Sequence, residues 1–354
     1  MAFCFRHVVW LVAIAALSVF ASCSSEEKPY EPTPAHLNFP QWVTTYVGSP
    51  HLPADNPQTA EGVALGRLLF YDTRLSADGS MSCASCHQQK HSFDDNRPFS
   101  IGVEGIAGKR NAMPLVNLAW GKSFFWDGRR PTLELQAHDP VVSPVELNTP
   151  WTEVAARLQA DPDMVDRFYQ AFGTRTIDST LVTKAIAQFE RTLISFNSRY
   201  DRFVFEHDTA ALTAQEKRGY QIFLNDGLCN HCHAEGLFTD HAFRNNGLDA
   251  APADAGRGAV TGKAEDFATF KVPTLRNIEL TAPYMHDSRF LTLEEVVQHY
   301  SSGIKPSSPN LDIHLQGIGS GVQLSAQQQA DLVAFLKALT DTSFLTHTAF
   351  QNPH

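Results

Sequence analysis

Cys83-Ala84-Ser85-Cys86-His87 and Cys229-Asn230-His231-Cys232-His233 are the two stretches that decide the fold of this 354-residue chain. Each has the spacing C-x-x-C-H, which is the attachment signature of a c-type haem. The spacing suits that chemistry because two thiols can add across the two vinyl groups of a porphyrin while the adjacent histidine lies under the iron. The sequence therefore predicts two covalently bound c-type haems, with His87 and His233 as proximal ligands.

Two other arrangements would use the same four cysteines. They could form two disulfides in an oxidising compartment, or they could bind one zinc ion together. Zinc ribbons place their cysteine pairs about 15–20 residues apart, and Cys86 and Cys229 are far more distant than that in sequence. The histidine that follows each pair favours haem over both alternatives.

The sequence around the two motifs is also duplicated. The pattern Gly-x-x-x-Phe occurs at residues 66–70 before the first motif and at 219–223 before the second, each within a helical pattern. Capping boxes are predicted at residues 213–216 and 325–328. Each half ends with an amphipathic helix, whose apolar positions are Ile186, Phe189 and Leu193 in the first half and Leu332, Phe335, Leu336 and Leu339 in the second.

This organisation predicts a mainly α chain with two tandem cytochrome c-like domains and long loops, each domain holding its haem between helices. No stretch shows the sustained period-2 alternation of strands. The N-terminal domain is expected at residues 51–205 and the C-terminal domain at 206–345. The composition, with 43% hydrophobic residues, provides for a core, whereas a net charge of −10 argues against nucleic-acid binding.

The N-terminus predicts export. Residues 8–20 are apolar except for Ser18, but 13 residues are too few to span a bilayer as a helix. Residues 1–22 are therefore interpreted as a signal peptide, and the small residues before Cys23 resemble a lipobox, in which Cys23 would carry a lipid. Plain secretion is the alternative. Residues 23–50 are expected to form a tether, which leaves the protein in the periplasm or anchored to a membrane by the lipid.

Several further motifs, spread from about residue 65 to 339, resemble the bacterial di-haem cytochrome c peroxidases, a superfamily that includes the MauG-type enzymes. These motifs are Lys109-Arg110-Asn111-Ala112-Met113-Pro114, Phe125-Trp126-Asp127-Gly128-Arg129, Leu133-Glu134-Leu135-Gln136-Ala137, Pro144-Val145-Glu146-Leu147, Phe270-Lys271-Val272-Pro273-Thr274-Leu275-Arg276-Asn277 and Ala282-Pro283-Tyr284-Met285-His286-Asp287.

The resemblance implies roles for individual residues. Glu146 would be the acid/base at the peroxide-binding haem of the N-terminal domain, Gln136 its hydrogen-bonding neighbour, and Trp126 an electron relay to the electron-transfer haem of the C-terminal domain. One calcium ion is implied between the domains, held by oxygen atoms of Asn111, Thr281 and Pro283. Oxygen ligands are those that calcium prefers.

The chain departs from the family pattern on the first haem. Many of these peroxidases carry a distal histidine before the Arg-Asn-Ala segment, and Val103 falls at that position. Valine cannot ligate iron, so the iron held by His87 is expected to have an open distal position. The enzyme would then need no reduction of its other haem before it can bind peroxide. His91 is the nearest substitute, although it lies only four residues after His87.

The second departure concerns the distal ligand of the C-terminal haem, which is a methionine in many of these peroxidases. Tyr300 occupies the aligned position here, as in MauG-type proteins, and no methionine follows Met285. A phenolate stabilises oxidised iron, whereas a thioether raises the potential. Tyr300 is the expected ligand, with His299 and Met285 as alternatives.

Three functions follow from the resemblance. The first is reduction of hydrogen peroxide to water with electrons from a small cytochrome c or a cupredoxin. The second is a MauG-like, peroxide-dependent oxidation of a protein or organic substrate through ferryl haems, and the third is non-enzymatic electron carriage. Glu146 and Gln136 beside an open iron argue against the third function. The sequence leaves the oligomeric state open, a homodimer included.

Overall fold

The computed structural model describes Met1 and residues 30–354, and it consists mostly of helices and loops. The first half contains α1 Gln41–Tyr46, α2 Ala60–Tyr71, α3 Cys83–Cys86, α4 Leu133–Val142, α5 Trp151–Gln159, α6 Pro162–Phe172, α7 Ser179–Arg191 and α8 Arg199–Phe205. The second half contains α9 Ala214–Leu224, α10 Gly258–Thr261, α11 Leu293–Gln298, α12 Ala326–Lys337 and α13 Thr342–Thr346. Two short strands, β1 Phe243–Arg244 and β2 Phe270–Lys271, pair antiparallel. The predicted mainly α class is confirmed.

The first half closes where α2 crosses α7. Gly66 lies at the crossing, and a Cβ atom there would overlap the carbonyl oxygen of Ala185. Only glycine lets the two backbones approach so closely. One turn further along α2, Phe70 is fully buried with its ring 5.3 Å from that of Phe189. The Gly-x-x-x-Phe pattern therefore marks a helix contact.

The second half repeats this contact between α9 and α12. A Cβ atom on Gly219 would overlap the carbonyl oxygen of Asp331. Phe223 is fully buried, and its ring lies 5.3 Å from that of Phe335. The same residue types thus make the same crossing in both halves, which is the structural counterpart of the duplicated sequence.

Both predicted capping boxes are confirmed. The Thr213 hydroxyl accepts a hydrogen bond from the backbone N–H of Glu216, whose carboxylate accepts one from the N–H of Thr213. Ser325 and Gln328 exchange the same pair of bonds. Each box satisfies backbone donors that a helix start leaves without partners, so α9 and α12 both begin at a defined residue.

A buried polar network joins the two halves. The Asn277 side-chain Nδ2 donates to Ser92 Oγ at 2.9 Å and to Ser195 Oγ at 3.2 Å. The backbone N–H of Asp341 donates to Asn277 Oδ1 at 2.7 Å. All four residues are buried, and a buried polar group without a partner costs about 1–3 kcal/mol. The network therefore holds the halves in one relative position.

The described parts of both termini pack against the body of the protein. Val43 of α1 is fully buried, and Trp42 stacks on Phe205 with ring centroids 3.7 Å apart. The described part of the expected tether, residues 30–50, therefore lies against the folded body. At the other end, Phe344 and Phe350 pack into an apolar cluster of the first half, so the chain returns to that half after α12.

The expected signal peptide and Cys23 lie outside the described residues. Among the residues that are described, no helix is long and apolar enough to cross a membrane.

The helix crossings predict the effect of adding one methyl group. Gly66→Ala and Gly219→Ala are each expected to lower the free energy of unfolding by about 1–3 kcal/mol, because the new Cβ meets a backbone carbonyl that cannot rotate away. Urea unfolding of the haem-loaded protein measures the change. Gly108→Ala is the control, since its Cβ would be 3.6 Å from the nearest atom. Equal stability of all three variants would show that the crossings tolerate a side chain.

Candidate functional site

A cavity of about 940 Å³ lies in the first half and extends to the second. This volume is at the upper end of the range for small-molecule and cofactor sites. The first half contributes both motif cysteines, Cys83 and Cys86, together with His87. The residues contributed by the second half are Leu237, Thr239, His241, Ala253, Asp254, Ala255, Lys271, Pro273 and Thr274.

The cysteines of both motifs are free and lie in short helical turns. Cys83 and Cys86 begin and end α3, where Ser82 and Ser85 form a capping box, and Cys229 begins a 3₁₀ turn. None of the four is in a disulfide. Among the described residues, no group of three or more His, Cys, Asp or Glu side chains is placed to hold a metal ion. The disulfide and zinc alternatives therefore gain no support.

The two motif histidines are oriented in the same way. His87 Nδ1 lies 2.8 Å from the carbonyl oxygen of Phe93, and His233 Nδ1 lies 3.0 Å from that of Phe238. Burial lowers the pKa of both imidazoles, so each is neutral near pH 7 and donates from Nδ1. Nε2 is then the free lone pair, and a second bond of this kind is how proteins orient a histidine that ligates a metal. Free thiols and an imidazole held through Nδ1 fit a covalent haem in each half.

The two polar residues expected at the peroxide site line the cavity of the first half. Gln136 lies on α4, whose start is capped by the hydroxyl of Thr132. Glu146 lies in the turn that follows α4, and its backbone N–H donates to Ser143 O at 3.0 Å. Burial raises the pKa of the Glu146 carboxyl, against the opposing effect of Arg129. The structure thus brings Gln136, Glu146 and His87 to one cavity.

Trp126 lies where the two halves meet. Its Nε1 donates to the carbonyl oxygen of Asn111 at 2.9 Å, and its own carbonyl accepts from the backbone N–H of Lys271 at 2.7 Å. The side chain lines the cavity. Its expected role as an electron relay stays a prediction, and its position between the halves is compatible with that role.

The loop with Val103 lies directly against Glu146, since the Val103 N–H donates to the Glu146 carbonyl at 2.9 Å. Among the described residues that line the cavity, the histidines are His87 and His241, and neither Val103 nor His91 belongs to the lining. The substitute that the sequence offered for the missing distal histidine is therefore not at the cavity. The sequence alone does not single out His241, because it lies in a loop of the other half and no local motif marks it.

The second half brings together all three candidate ligands. Asn246 Nδ2 donates to the Tyr300 hydroxyl at 3.1 Å and lies 3.5 Å from the Met285 sulfur. His299 Nε2 lies 3.1 Å from the Asn246 carbonyl oxygen, so this nitrogen already has a backbone partner. Burial raises the pKa of Tyr300 to about 12. Tyr300 lies in a π-helical turn, His299–Gly303, a feature that is frequent at functional sites.

Asn111, one of the three residues expected to hold calcium, lies at the boundary between the halves. Asn111 donates its backbone N–H to the His286 carbonyl at 2.8 Å and its Nδ2 to the Arg97 carbonyl at 3.3 Å. Asn111 and Thr281 are both buried. Asp94 is fully buried, and neither of its carboxylate oxygens has a hydrogen-bond partner among the described residues.

Comparison with known proteins agrees with this geometry. The family described as di-haem cytochrome c peroxidase matches residues 60–209. The methylamine utilization protein MauG of Methylorubrum extorquens is 39% identical over 82% of this chain and 81% of its own length. Cytochrome c551 peroxidase of Nitrosomonas europaea is 36% identical over 81% of this chain and 82% of its own. A solved structure of a MauG-like protein associated with microbial copper homeostasis superposes with a TM-score of 0.80 at 36% identity, covering 90% of this chain and 99% of that one.

The chain belongs to the di-haem cytochrome c peroxidase family. Membership in this family confirms two predictions: that the protein is an oxidoreductase that acts on peroxide, and that it holds two c-type haems.

The distal ligand of the C-terminal haem can be identified by substitution. Tyr300→Phe is expected to change the low-spin EPR signal of one haem, because the phenol oxygen is lost while the ring remains. Tyr300→Met is expected to raise the midpoint potential of that haem, because a thioether replaces a hard oxygen ligand. His299→Gln is the matched control, since the His299 ring already faces a carbonyl. A changed signal only in the His299 variant, or only in Met285→Leu, would assign the ligand to that residue instead.

Proposed function

We propose that this protein is a peroxidase that reduces hydrogen peroxide to water, with electrons from a small cytochrome c or a cupredoxin. The observation that carries the proposal is the cavity that Cys83, Cys86 and His87 share with a half-buried acid, Glu146, and an amide, Gln136. The overall reaction consumes one peroxide, two electrons and two protons and releases two waters.

The chemistry divides between the haem and the side chains. When bound, the haem supplies the redox chemistry of its iron. The Glu146 carboxylate takes a proton from one peroxide oxygen and returns it to the other, which leaves as water. The Gln136 amide orients the peroxide by hydrogen bonding. Burial raises the pKa of the Glu146 carboxyl above its ordinary value, which moves it toward the operating pH, where a carboxyl serves best as both base and acid.

Electrons would reach the site from the second half. Trp126 lines the cavity and is bonded to a backbone group of each half, which supports its role as the relay. The donor would bind the C-terminal domain, where His233 and Tyr300 are proposed to hold the electron-transfer haem.

A MauG-like oxidation of a protein or organic substrate is the second candidate function. The observation that favours it is Tyr300, whose hydroxyl is held by Asn246 beside the Met285 sulfur. An oxygen ligand there would favour oxidised iron over reduced iron. Simple electron carriage is less well supported, because it needs neither Glu146 nor Gln136 at the cavity.

A calcium ion at the boundary between the halves is also part of the proposal, held by Asn111 Oδ1 and the carbonyl oxygens of Thr281 and Pro283. The buried Asp94 supports it, since a carboxylate with no partner in the protein needs a compensating charge. Burial raises the pKa of Asp94 to about 8, and a nearby cation would reverse that shift.

We further propose that the protein works outside the cytoplasm, after removal of residues 1–22, with Cys23 as the site of a lipid anchor. Covalent attachment of haem to C-x-x-C-H motifs outside the cytoplasm supports export.

The role of Glu146 can be tested by an isosteric change. Glu146→Gln is expected to lower steady-state peroxide turnover by about 10²–10⁴-fold, because the amide can neither accept nor deliver the proton. The wild-type rate should fall as the pH drops through the raised pKa of Glu146, where the carboxylate becomes protonated, and this acidic limb should vanish in the variant. Reduced small cytochrome c serves as the donor.

Glu104→Gln is the matched control, because Glu104 is exposed and accepts from the Asn148 side chain at 3.0 Å. It should turn over like the wild type. Unchanged turnover in Glu146→Gln with a full complement of haem would exclude Glu146 as the acid/base.

The missing distal histidine predicts how the fully oxidised protein behaves. With Val103 at that position, diferric protein is expected to show a high-spin haem and to react with one equivalent of peroxide in a stopped-flow mixing experiment, without prior reduction. A reaction that begins only after one electron has been added would mean that another residue closes the iron. A second measurement distinguishes the two candidate functions. Continuous oxidation of reduced cytochrome c by peroxide would indicate the peroxidase, because the MauG-like function does not require such a donor.

A further inference from the structure

Phe93, whose carbonyl oxygen accepts from His87 Nδ1, lies in a strained turn. Its φ is +58°, and that of the preceding Ser92 is +59°, a backbone conformation that is uncommon for residues other than glycine and unfavourable for a bulky one. Such a conformation persists only where the surrounding structure holds it. The orientation of His87 therefore depends on what packs against Phe93.

Two aromatic rings from the C-terminal part of the chain pack against Phe93. The Phe344 ring centroid lies 5.6 Å from that of Phe93, and the Phe350 centroid lies 6.4 Å from it. All three side chains are buried in one apolar cluster. Phe344 and Phe350 belong to residues 342–351, here called the return segment, which follows α12. The second half thus supplies packing that holds a turn of the first.

Hydrogen bonds fix the return segment to the first half. Gln89 Nε2 donates to the carbonyl oxygens of Phe344 and His347, at 3.0 Å in both cases. The Tyr71 hydroxyl of α2 donates to the Phe350 carbonyl at 2.6 Å. All three bonds end on backbone carbonyls, so they fix the path of the segment and not only the position of one side chain.

The second half is supported in the reciprocal way. Phe238, whose carbonyl accepts from His233 Nδ1, also has a positive φ, +54°. Its ring packs against that of Tyr200 with centroids 4.9 Å apart, and Tyr200 lies on α8, which follows the closing helix of the first half. Each motif histidine is therefore held by a phenylalanine that is covered by a segment coming from the other half.

We infer that the return segment is a positioning element for the haem iron of the first half, acting through Phe93 and His87. The inference rests on the proposed function only in that His87 ligates that iron. A hydrogen bond at Nδ1 makes a ligating imidazole more basic, and a more basic ligand favours oxidised iron over reduced iron. Phe344 and Phe350 hold the Phe93 carbonyl in place and thereby lower the midpoint potential of this haem.

Resonance Raman spectroscopy of the reduced protein and a redox titration of both haems test the inference. Phe344→Ala removes a ring beside Phe93 and is expected to weaken the Nδ1 hydrogen bond, so the iron–histidine stretching frequency of the haem in the first half should fall. The midpoint potential of that haem should rise by about 28 mV, a roughly threefold change in the equilibrium between reduced and oxidised iron at about 59 mV per tenfold change. The haem of the second half is the internal reference and should keep its potential. Phe344→Leu keeps an apolar side chain there and should lie close to the wild type.

Gln89→Leu tests the same support without opening a gap in the core, and it provides the answer if Phe344→Ala does not fold. It loses both bonds to the return segment and should shift the two readouts in the same direction. Phe168→Ala is the matched control, because Phe168 is fully buried in the first half but belongs to an apolar cluster that does not include Phe93. It should leave the stretching frequency and both potentials unchanged.

Haem content is measured first, because a first motif without covalent haem would overturn the proposed function and the inference together. With both haems present, an unchanged stretching frequency in Phe344→Ala and in Gln89→Leu would overturn the inference alone, whatever the peroxide turnover. A shift of equal size in Phe168→Ala, or in both haems, would also overturn it, because general loosening of the fold would then be the cause.

Discussion

The close crossing of two helices at a glycine, made once in each half, is the contact on which the rest of the fold depends. At Gly66 and Gly219 the partner helix lies so near that its backbone carbonyl occupies the space of a side chain. The phenylalanine one helical turn later is then fully buried against a phenylalanine of the partner helix. Each half thereby has a closely packed helix pair, and the long loops with the haem motifs and the cavity-lining residues pack around that pair.

The second constraint is that a histidine that binds a metal through one ring nitrogen needs a hydrogen bond at the other to fix its orientation. In both motifs a backbone carbonyl close in sequence provides it, that of Phe93 for His87 and that of Phe238 for His233. Both phenylalanines are fully buried, so the carbonyls are held by the same cores that the helix crossings build. The orientation of both imidazoles is thus a property of the core rather than of a flexible loop.

The boundary between the halves is where the molecule departs from two independent cytochrome-like units. The Trp126 carbonyl is bonded to the backbone of Lys271, Asn277 joins Ser92 to Asp341, and the end of the chain returns to the first half. These contacts place side chains of the second half in the cavity of the first. Glu146 and Gln136, the proposed acid/base and its neighbour, come from the first half, whereas His241 and Lys271 come from the second.

Local patterns in the sequence were sufficient for the features that depend on neighbours along the chain. C-x-x-C-H places two thiols and an imidazole on one short turn whatever the remaining fold does, and the capping boxes at residues 213–216 and 325–328 are likewise complete within four residues. The mainly α class followed from helical periodicity. Only the tertiary structure decided that residues 30–50 lie against the body, that Asn246 holds Tyr300 beside Met285, and that His241 reaches the other half's cavity. These arrangements join residues far apart in the chain, and their geometry is set by how the two halves pack, which no local spacing encodes.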